Sequence, residues 1–268
     1  MPAFTHAGQL HYFCHVPKCA GTSVEELLQK EFGQLLLLDR RYLDILPEQR
    51  WSRSSPQHLT AGDLARLIPL DRFASSFAIV RDPLARTVSA YKHSWRYRGL
   101  APGTTLERWF DEYLSLRTSY PYAFDSHPRP QVDFLLPDAR IFRMEDQMDE
   151  FLGWLRDSFG LGPDIALQRE NTGELRDRDA PIEKRPVSRE FVAKVVDFYA
   201  KDYERFGYDP ANPSVEAYDF PLLPAMLRVG KPHLRFVLQR VGYMNRRIIT
   251  AWHRHGARGR HILGNTQW

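Results

Sequence analysis

The chain has 268 residues, 43% hydrophobic and 13% aromatic, enough apolar side chain to bury a substantial core. Charged residues make up 26%, an ordinary globular value, the net charge is +4, and two cysteines exclude a disulfide framework. No run approaches the ~18 apolar residues of a spanning helix, and the N-terminal MPAFTHAGQL has neither the basic start nor the apolar centre of a signal peptide. With Cys14 and Cys19 suited to a reducing compartment, these features predict a single soluble, cytoplasmic domain.

In chain order, Leu10, Tyr12, Cys14 and Val16 alternate with His11, Phe13 and His15, which predicts a buried strand over 10–16. Pro17 ends it. Gly21 lets backbone approach a ligand closely, Thr22-Ser23 stands where a helix needs a cap, and Val24, Leu27, Leu28 and Phe32 line one face of a helix over 23–32. Such a helix points unpaired N–H groups and its positive dipole end into the turn, where Lys18 adds a mobile charge. The nucleoside-triphosphate loop G-x-x-x-x-G-K-[ST] does not fit, because here the lysine precedes the glycine and the nearest earlier glycine is Gly8. A strand is expected at 35–38. Thr60 reads as the cap of a helix over 62–68 whose inward residues are Leu64, Leu67 and Ile68. A central strand follows at 76–81, then Asp82 as a cap, Pro83 at the first helical position and a helix over 84–97 with Leu84, Val88 and Tyr91 inward. Arg81 thus lies at the carboxyl end of a strand, where open parallel sheets bind ligands, and Ser89 lies two turns along the adjoining helix. An arginine and a serine so placed suit a phosphate; the plainer alternative is a surface ion pair of Arg81 with Asp82 or a nearby acid. Further helices are expected at 105–117, 146–158 and 188–206, with a strand at 139–143. Strand–helix alternation of this kind predicts an α/β fold, a parallel sheet flanked by helices.

HVPKCAGTS followed by VRDPLARTVSAY resembles the sulfotransferases that use 3′-phosphoadenosine 5′-phosphosulfate (PAPS). The pair is more narrowly similar to the membrane-type, carbohydrate-directed sulfotransferase family 2, which includes the heparan and chondroitin uronyl 2-O-sulfotransferases. The resemblance implies a P-loop-like sulfotransferase fold. It also implies a loop in which Lys18, Gly21, Thr22 and Ser23 hold the 5′-phosphosulfate, Pro17, Cys19 and Ala20 contribute backbone, and Arg81 and Ser89 hold the 3′-phosphate. Many members have threonine where Cys19 stands. Softer likenesses are ARIFRMEDQMDEFLGWLRDSFGL at 139–161, Asn171 in RENTG and KDYERFGYD at 201–209. They make 1–209 the expected sulfotransferase domain and 210–268 a C-terminal extension. Golgi relatives carry an N-terminal anchor that the present sequence lacks, which favours a cytoplasmic form.

Sulfonate transfer to a hydroxyl requires in-line geometry, charge stabilisation on the leaving oxygen and a general base. Lys18 suits the second role. No zinc spacing or HExxH occurs, so no metal is expected. Of ten histidines, His58 is the expected base. It precedes Thr60 in a loop between the two motifs, where family members carry a His-x-Thr-Ala-like segment. His15 is the runner-up, read as a packing residue; His93 and His127 stay unassigned, and Glu145 is read as a structural or substrate contact. The stretch 118–131 has three prolines and three aromatics, too many breakers for regular structure, and is a candidate acceptor loop. Residues 169–189 are expected to form a charged loop whose Lys184 and Arg185 are either solvated or reach the donor's phosphate.

After Asp219 there are nine Lys and Arg and no acid, so the net +4 divides into +9 for this tail and −5 for the rest. Leu234, Val237, Leu238, Val241, Ile248, Ile249 and Trp252 give it a helical stripe. Such a helix can pack on the domain, lie on an anionic membrane or hold an acidic glycan. The expected partner is an acceptor hydroxyl on a glycan or glycolipid, with no nucleic acid. Two alternatives stay open. One is a nucleotide-dependent small-molecule kinase, for which neither the lysine nor the Mg²⁺ carboxylate can be placed. The other is a non-catalytic polyanion-binding protein resting on the tail.

Overall fold

The computed structural model describes residues 2–101, 103–168 and 182–221. Asn171 and the basic stripe of 222–268 lie outside the described residues. A four-stranded sheet has the order β1 (Ala3–His6), β2 (Gln9–Phe13), β3 (Phe73–Val80), β4 (Arg140–Arg143). β1 and β2 form an antiparallel hairpin, and β2, β3 and β4 run parallel. The first crossover carries α1 (Gly21–Phe32) and α2 (Ala61–Ala65). The second carries α3 (Pro83–Arg98) and α4 (Leu106–Arg117), and α5 (Met148–Phe159) follows β4. The α/β expectation holds, with a mostly parallel sheet and helices around it. Because parallel strands are covered on both faces, Tyr12, Phe13, Phe77, Ala78, Ile79 and Val80 are all buried. No helix among the described residues is long and apolar enough to cross a membrane.

Several boundaries differ from the sequence reading for local physical reasons. β2 stops at Phe13 rather than at residue 16, although the Cys14 N–H still donates to Phe77 O at 2.8 Å. The hairpin turn before it uses Ala7 at φ 48 with Gly8 at φ 76, a left-handed alanine that no turn signal announces. Leu35–Leu38 is not a strand. Leu36 makes one bridge to Ala3, and Leu37 at φ 55 breaks the extended run. Thr60 caps α2, as read, in a capping box that Asp63 completes, but the helix ends at Ala65 and leaves Leu67 exposed.

The helix expected over 188–206 breaks at Tyr199 into α6 (Arg189–Phe198) and α7 (Ala200–Phe206). The break lets the Tyr199 hydroxyl reach Pro128 O at 2.5 Å and Asp202 accept from the N–H groups of Gln131 and Val132 at 2.8 and 3.0 Å. Within the stretch read as a charged loop, residues Ile182–Pro186 form β5, antiparallel to β6 (Ala217–Pro221). Lys184 pairs with Asp219, which Lys92 also contacts at 2.8 Å. Arg185 pairs with Glu183 and lies over the Phe220 ring, 3.4 Å from its centroid. Both cations are thus engaged within this hairpin. Tyr218 and Phe220 join a second core with Tyr91, Trp109, Phe110 and Phe191, separate from the one around the main sheet.

Candidate functional site

The carboxyl ends of β2 and β3 are neighbours, so the two sequence motifs emerge side by side. Beyond β2 the loop takes a compact path that bends through Lys18 at φ 72 and Ala20 at φ 56. Ala20 is the residue before the first turn of α1, and its carbonyl accepts from the Val24 N–H at 3.1 Å with no side-chain cap. Thr22 and Ser23, read as the cap, instead stand in the first turn itself. Among the described residues the N–H groups of Gly21, Thr22 and Ser23 have no hydrogen-bond partner, nor do the Thr22 and Ser23 hydroxyls. α1 has no acid in its first turn, and Glu25, in the next, is buried and turned onto His15, whose Nδ1 lies 2.5 Å from Glu25 Oε1, while Glu26 accepts from Arg40 at 3.2 Å. Burial pushes the His15 imidazole below its ordinary value, so the pair is a neutral ring donating to a carboxylate.

Gly21 has a tighter reason than ligand approach. A Cβ there would sit 2.0 Å from His15 Nε2, so the imidazole occupies the space a side chain would need. Cys19, in the same loop, is fully buried. Burial pushes its thiol up to about 12, and Sγ points to Gln131 Oε1 at 3.4 Å. Its side chain therefore faces the interior, and the position offers the loop only backbone.

Asp82 caps α3 by accepting from Ala85 N–H at 2.8 Å and also takes a bond from Ser214, so its carboxylate is committed. The Gln131 carboxamide brackets the Arg81 peptide, accepting from its N–H at 3.0 Å and donating to its carbonyl at 2.8 Å. One side chain thus ties the tip of β3 to Cys19 in the neighbouring loop. The Arg81 guanidinium makes no hydrogen bond or ion pair among the described residues, and neither does the Ser89 hydroxyl. The ion-pair alternative for Arg81 is therefore not realised. Ser89 and His93 lie one turn apart on α3, hence on one face. Lys18 Nζ is 3.4 Å from His93 Nδ1, which brings the loop lysine over that face. Glu145 accepts from the Asp82 N–H at 2.9 Å and the Tyr208 hydroxyl at 2.7 Å, a structural engagement.

His58 ends the 3-10 turn Pro56–His58 and is 7% exposed. Its ring meets His15 edge-on at 5.1 Å and His127 at 4.7 Å, and His127 stacks on His93 at 4.5 Å. A file of rings thus runs from His58 to the histidine that Lys18 touches. His58 Nδ1 is 2.8 Å from Asp125 Oδ2 and 3.0 Å from Ser55 Oγ. Asp125 also accepts from the Ser55 N–H at 2.7 Å and its hydroxyl at 2.6 Å. Phe124, Asp125 and Ser126 have φ of 55, 55 and 61, three left-handed residues in succession. That backbone costs about 1–2 kcal/mol per residue relative to the right-handed form. The loop is held by the buried Arg86, which donates to His127 O at 2.8 Å and Arg129 O at 2.6 Å.

His58, Asp125 and His127 are the one group of metal-ligand types whose atoms gather within 4.8 Å among the described residues. The 2.8 Å contact of His58 Nδ1 with Asp125 is shorter than the roughly 3.3 Å that two ligands of one tetrahedral zinc keep, given bonds near 2 Å. It is the contact of a shared proton. No spacing in the sequence singles out Asp125, Gln131 or His127. The breaker-rich composition marks their segment as a loop without saying what it carries.

A family model described as the sulfotransferase family matches residues 9–209. No curated protein and no solved structure matches the chain. The matched span holds both strand tips, His58 and the Asp125 loop, and the chain belongs to the sulfotransferase family: it is a sulfotransferase.

Proposed function

We propose that the enzyme transfers the sulfonate group of PAPS to a hydroxyl of a carbohydrate acceptor, leaving adenosine 3′,5′-bisphosphate. The observation that carries this reading is the pair of adjacent strand tips whose donors lack partners: the first turn of α1 with Thr22 and Ser23, and Arg81 with Ser89. A set of N–H, hydroxyl and guanidinium donors in two clusters fits a ligand with anions at both ends. The loop from Pro17 to Ser23 holds the 5′ side, with Cys19 and Ala20 supplying backbone. Arg81 and Ser89 hold the 3′-phosphate.

His58 Nε2 takes the proton of the acceptor hydroxyl as its oxygen bonds to sulfur and the bond from sulfur to the bridging phosphate oxygen breaks. Lys18 and the N-terminus of α1 stabilise the electron pair that stays on that oxygen. The chemistry is positioning and charge stabilisation, as in phosphoryl transfer. Family likeness supports the sugar acceptor, a glycan or glycolipid.

Isothermal titration with adenosine 3′,5′-bisphosphate tests the donor site. Binding is expected without Mg²⁺ and about 10–100-fold weaker in Lys18→Ala or Arg81→Ala, the size of one charge-assisted hydrogen bond. Preference for ATP with Mg²⁺, or unchanged affinity in both variants, would overturn the assignment. A screen of glycan and glycolipid acceptors with radiolabelled donor tests the acceptor class.

A further inference from the structure

We infer that Asp125 is the positioning residue of His58, an inference that rests on the base role proposed above and extends it. The carboxylate reaches the imidazole from a loop 67 residues away, with Oδ2 2.8 Å from Nδ1. Nδ1 then carries the proton that the carboxylate accepts, which leaves the lone pair on Nε2, the nitrogen a base needs. The bonds from Ser55, through N–H to Oδ1 and through Oγ to Oδ2, fix the carboxylate's rotation, so that the plane of the imidazole is fixed in turn.

The backbone is consistent with a dedicated arrangement. Three successive left-handed residues, none of them glycine, turn the chain at Asp125, and a connector has no need of that path. Two further groups hold the loop: Arg86 on the carbonyls of His127 and Arg129, and the Tyr199 hydroxyl on Pro128 O. His127 completes the setting. Its Nδ1 lies 3.0 Å from Phe124 O, and its ring packs across His58 at 4.7 Å, so the imidazole is confined on that side. His15 confines it on another at 5.1 Å. The charged or titratable groups around His58 are thus Asp125, His15 and His127, with Glu25 behind His15 on the His15 Nδ1, and Asp125 is the carboxylate bonded to the His58 ring itself.

The direct test needs no substitution. In protein labelled with ¹⁵N at histidine, the neutral His58 ring should give the Nδ1–H tautomer, identified by its loss in His58→Ala. An Nε2–H tautomer would overturn the inference. Asp125→Asn should lower kcat by about a hundredfold or more, part of the ~10²–10⁴ that base catalysis supplies, with the donor's KM within about threefold. Adenosine 3′,5′-bisphosphate should bind that variant with wild-type affinity, which separates lost positioning from a damaged donor site. Turnover within a few-fold of wild type in folded Asp125→Asn would also overturn it. Should wild-type protein fail to bind the bisphosphate while showing the Nδ1–H tautomer, the proposed function falls and the His58–Asp125 pairing stands.

Discussion

The two halves of the proposed site, one for the donor and one for the base, are built in opposite ways. The donor half is local. Strand, left-handed turn and helix N-terminus follow one another within residues 9–24, and its key groups are backbone N–H donors that any helix start provides. The base half is assembled from afar: His58 on a 3-10 turn, Asp125 on a left-handed turn, His93 on α3 and His15 behind the loop. Anion recognition can be carried by backbone because the donors are fixed as soon as the helix forms. Holding one imidazole in one tautomer needs side chains converging from several segments, and only a finished core supplies them.

The largest expected effect separates the halves. His58→Ala should cut kcat by about two to four orders of magnitude while affinity for adenosine 3′,5′-bisphosphate stays within a few-fold. Equal losses in both would mean that the halves are one unit, and turnover near wild type would remove His58 as the base.

A smaller effect sharpens where they touch. Gly21→Ala drives a Cβ to 2.0 Å from His15 Nε2, so a loss of about 1–3 kcal/mol of stability is expected from overpacking. Truncating the ring in His15→Ala/Gly21→Ala should recover part of that loss, read as a coupling above ~0.5 kcal/mol in a thermal-unfolding cycle. Additive losses would show that the glycine answers to something other than His15.

The smallest effect is in pH. His15 has a folded-state value below the 6.5 of an unperturbed histidine, chiefly through burial. The unfolded chain therefore binds a proton below pH 6.5 that the folded chain resists, and stability falls as pH drops from there toward the folded-state value. Above 6.5 the group contributes no slope. His15→Gln keeps an N–H donor for Glu25 but does not titrate, so its unfolding free energy should decline less steeply in that window, by up to about 1.4 kcal/mol per pH unit, and its Tm should fall less with it. Coincident Tm profiles would mean that His15 takes up its proton without resistance.

Much of the fold was readable because the relevant rules are local. Asp82-Pro83 and Thr60 announce helix starts through their own side chains, and both caps form as expected. The apolar run before Arg81 suited a central strand, and β3 is one. The misreadings share a cause. Leu35–Leu38 looks extended until Leu37 adopts a left-handed conformation, and 188–206 looks like one helix until Tyr199 and Asp202 turn to hold Pro128 and Gln131. Cys19 was readable as a backbone contributor, yet its burial against Gln131 was not.

The sequence by itself determined the three parallel strands and the helices that follow them, the turn with Lys18 and Gly21 after the first of these strands, and the arginine beyond the second with a serine on the adjoining helix. These depend on periodicity, caps and chain neighbours, which act over a few residues. Tertiary structure alone decided that Gln131 joins the two tips, that the His15 ring fills the space over Gly21, and that Asp125 meets His58. Those contacts join residues far apart in the chain, and they exist only once packing against Arg86 and Tyr199 holds the 124–126 turn in a conformation its residues would not adopt alone.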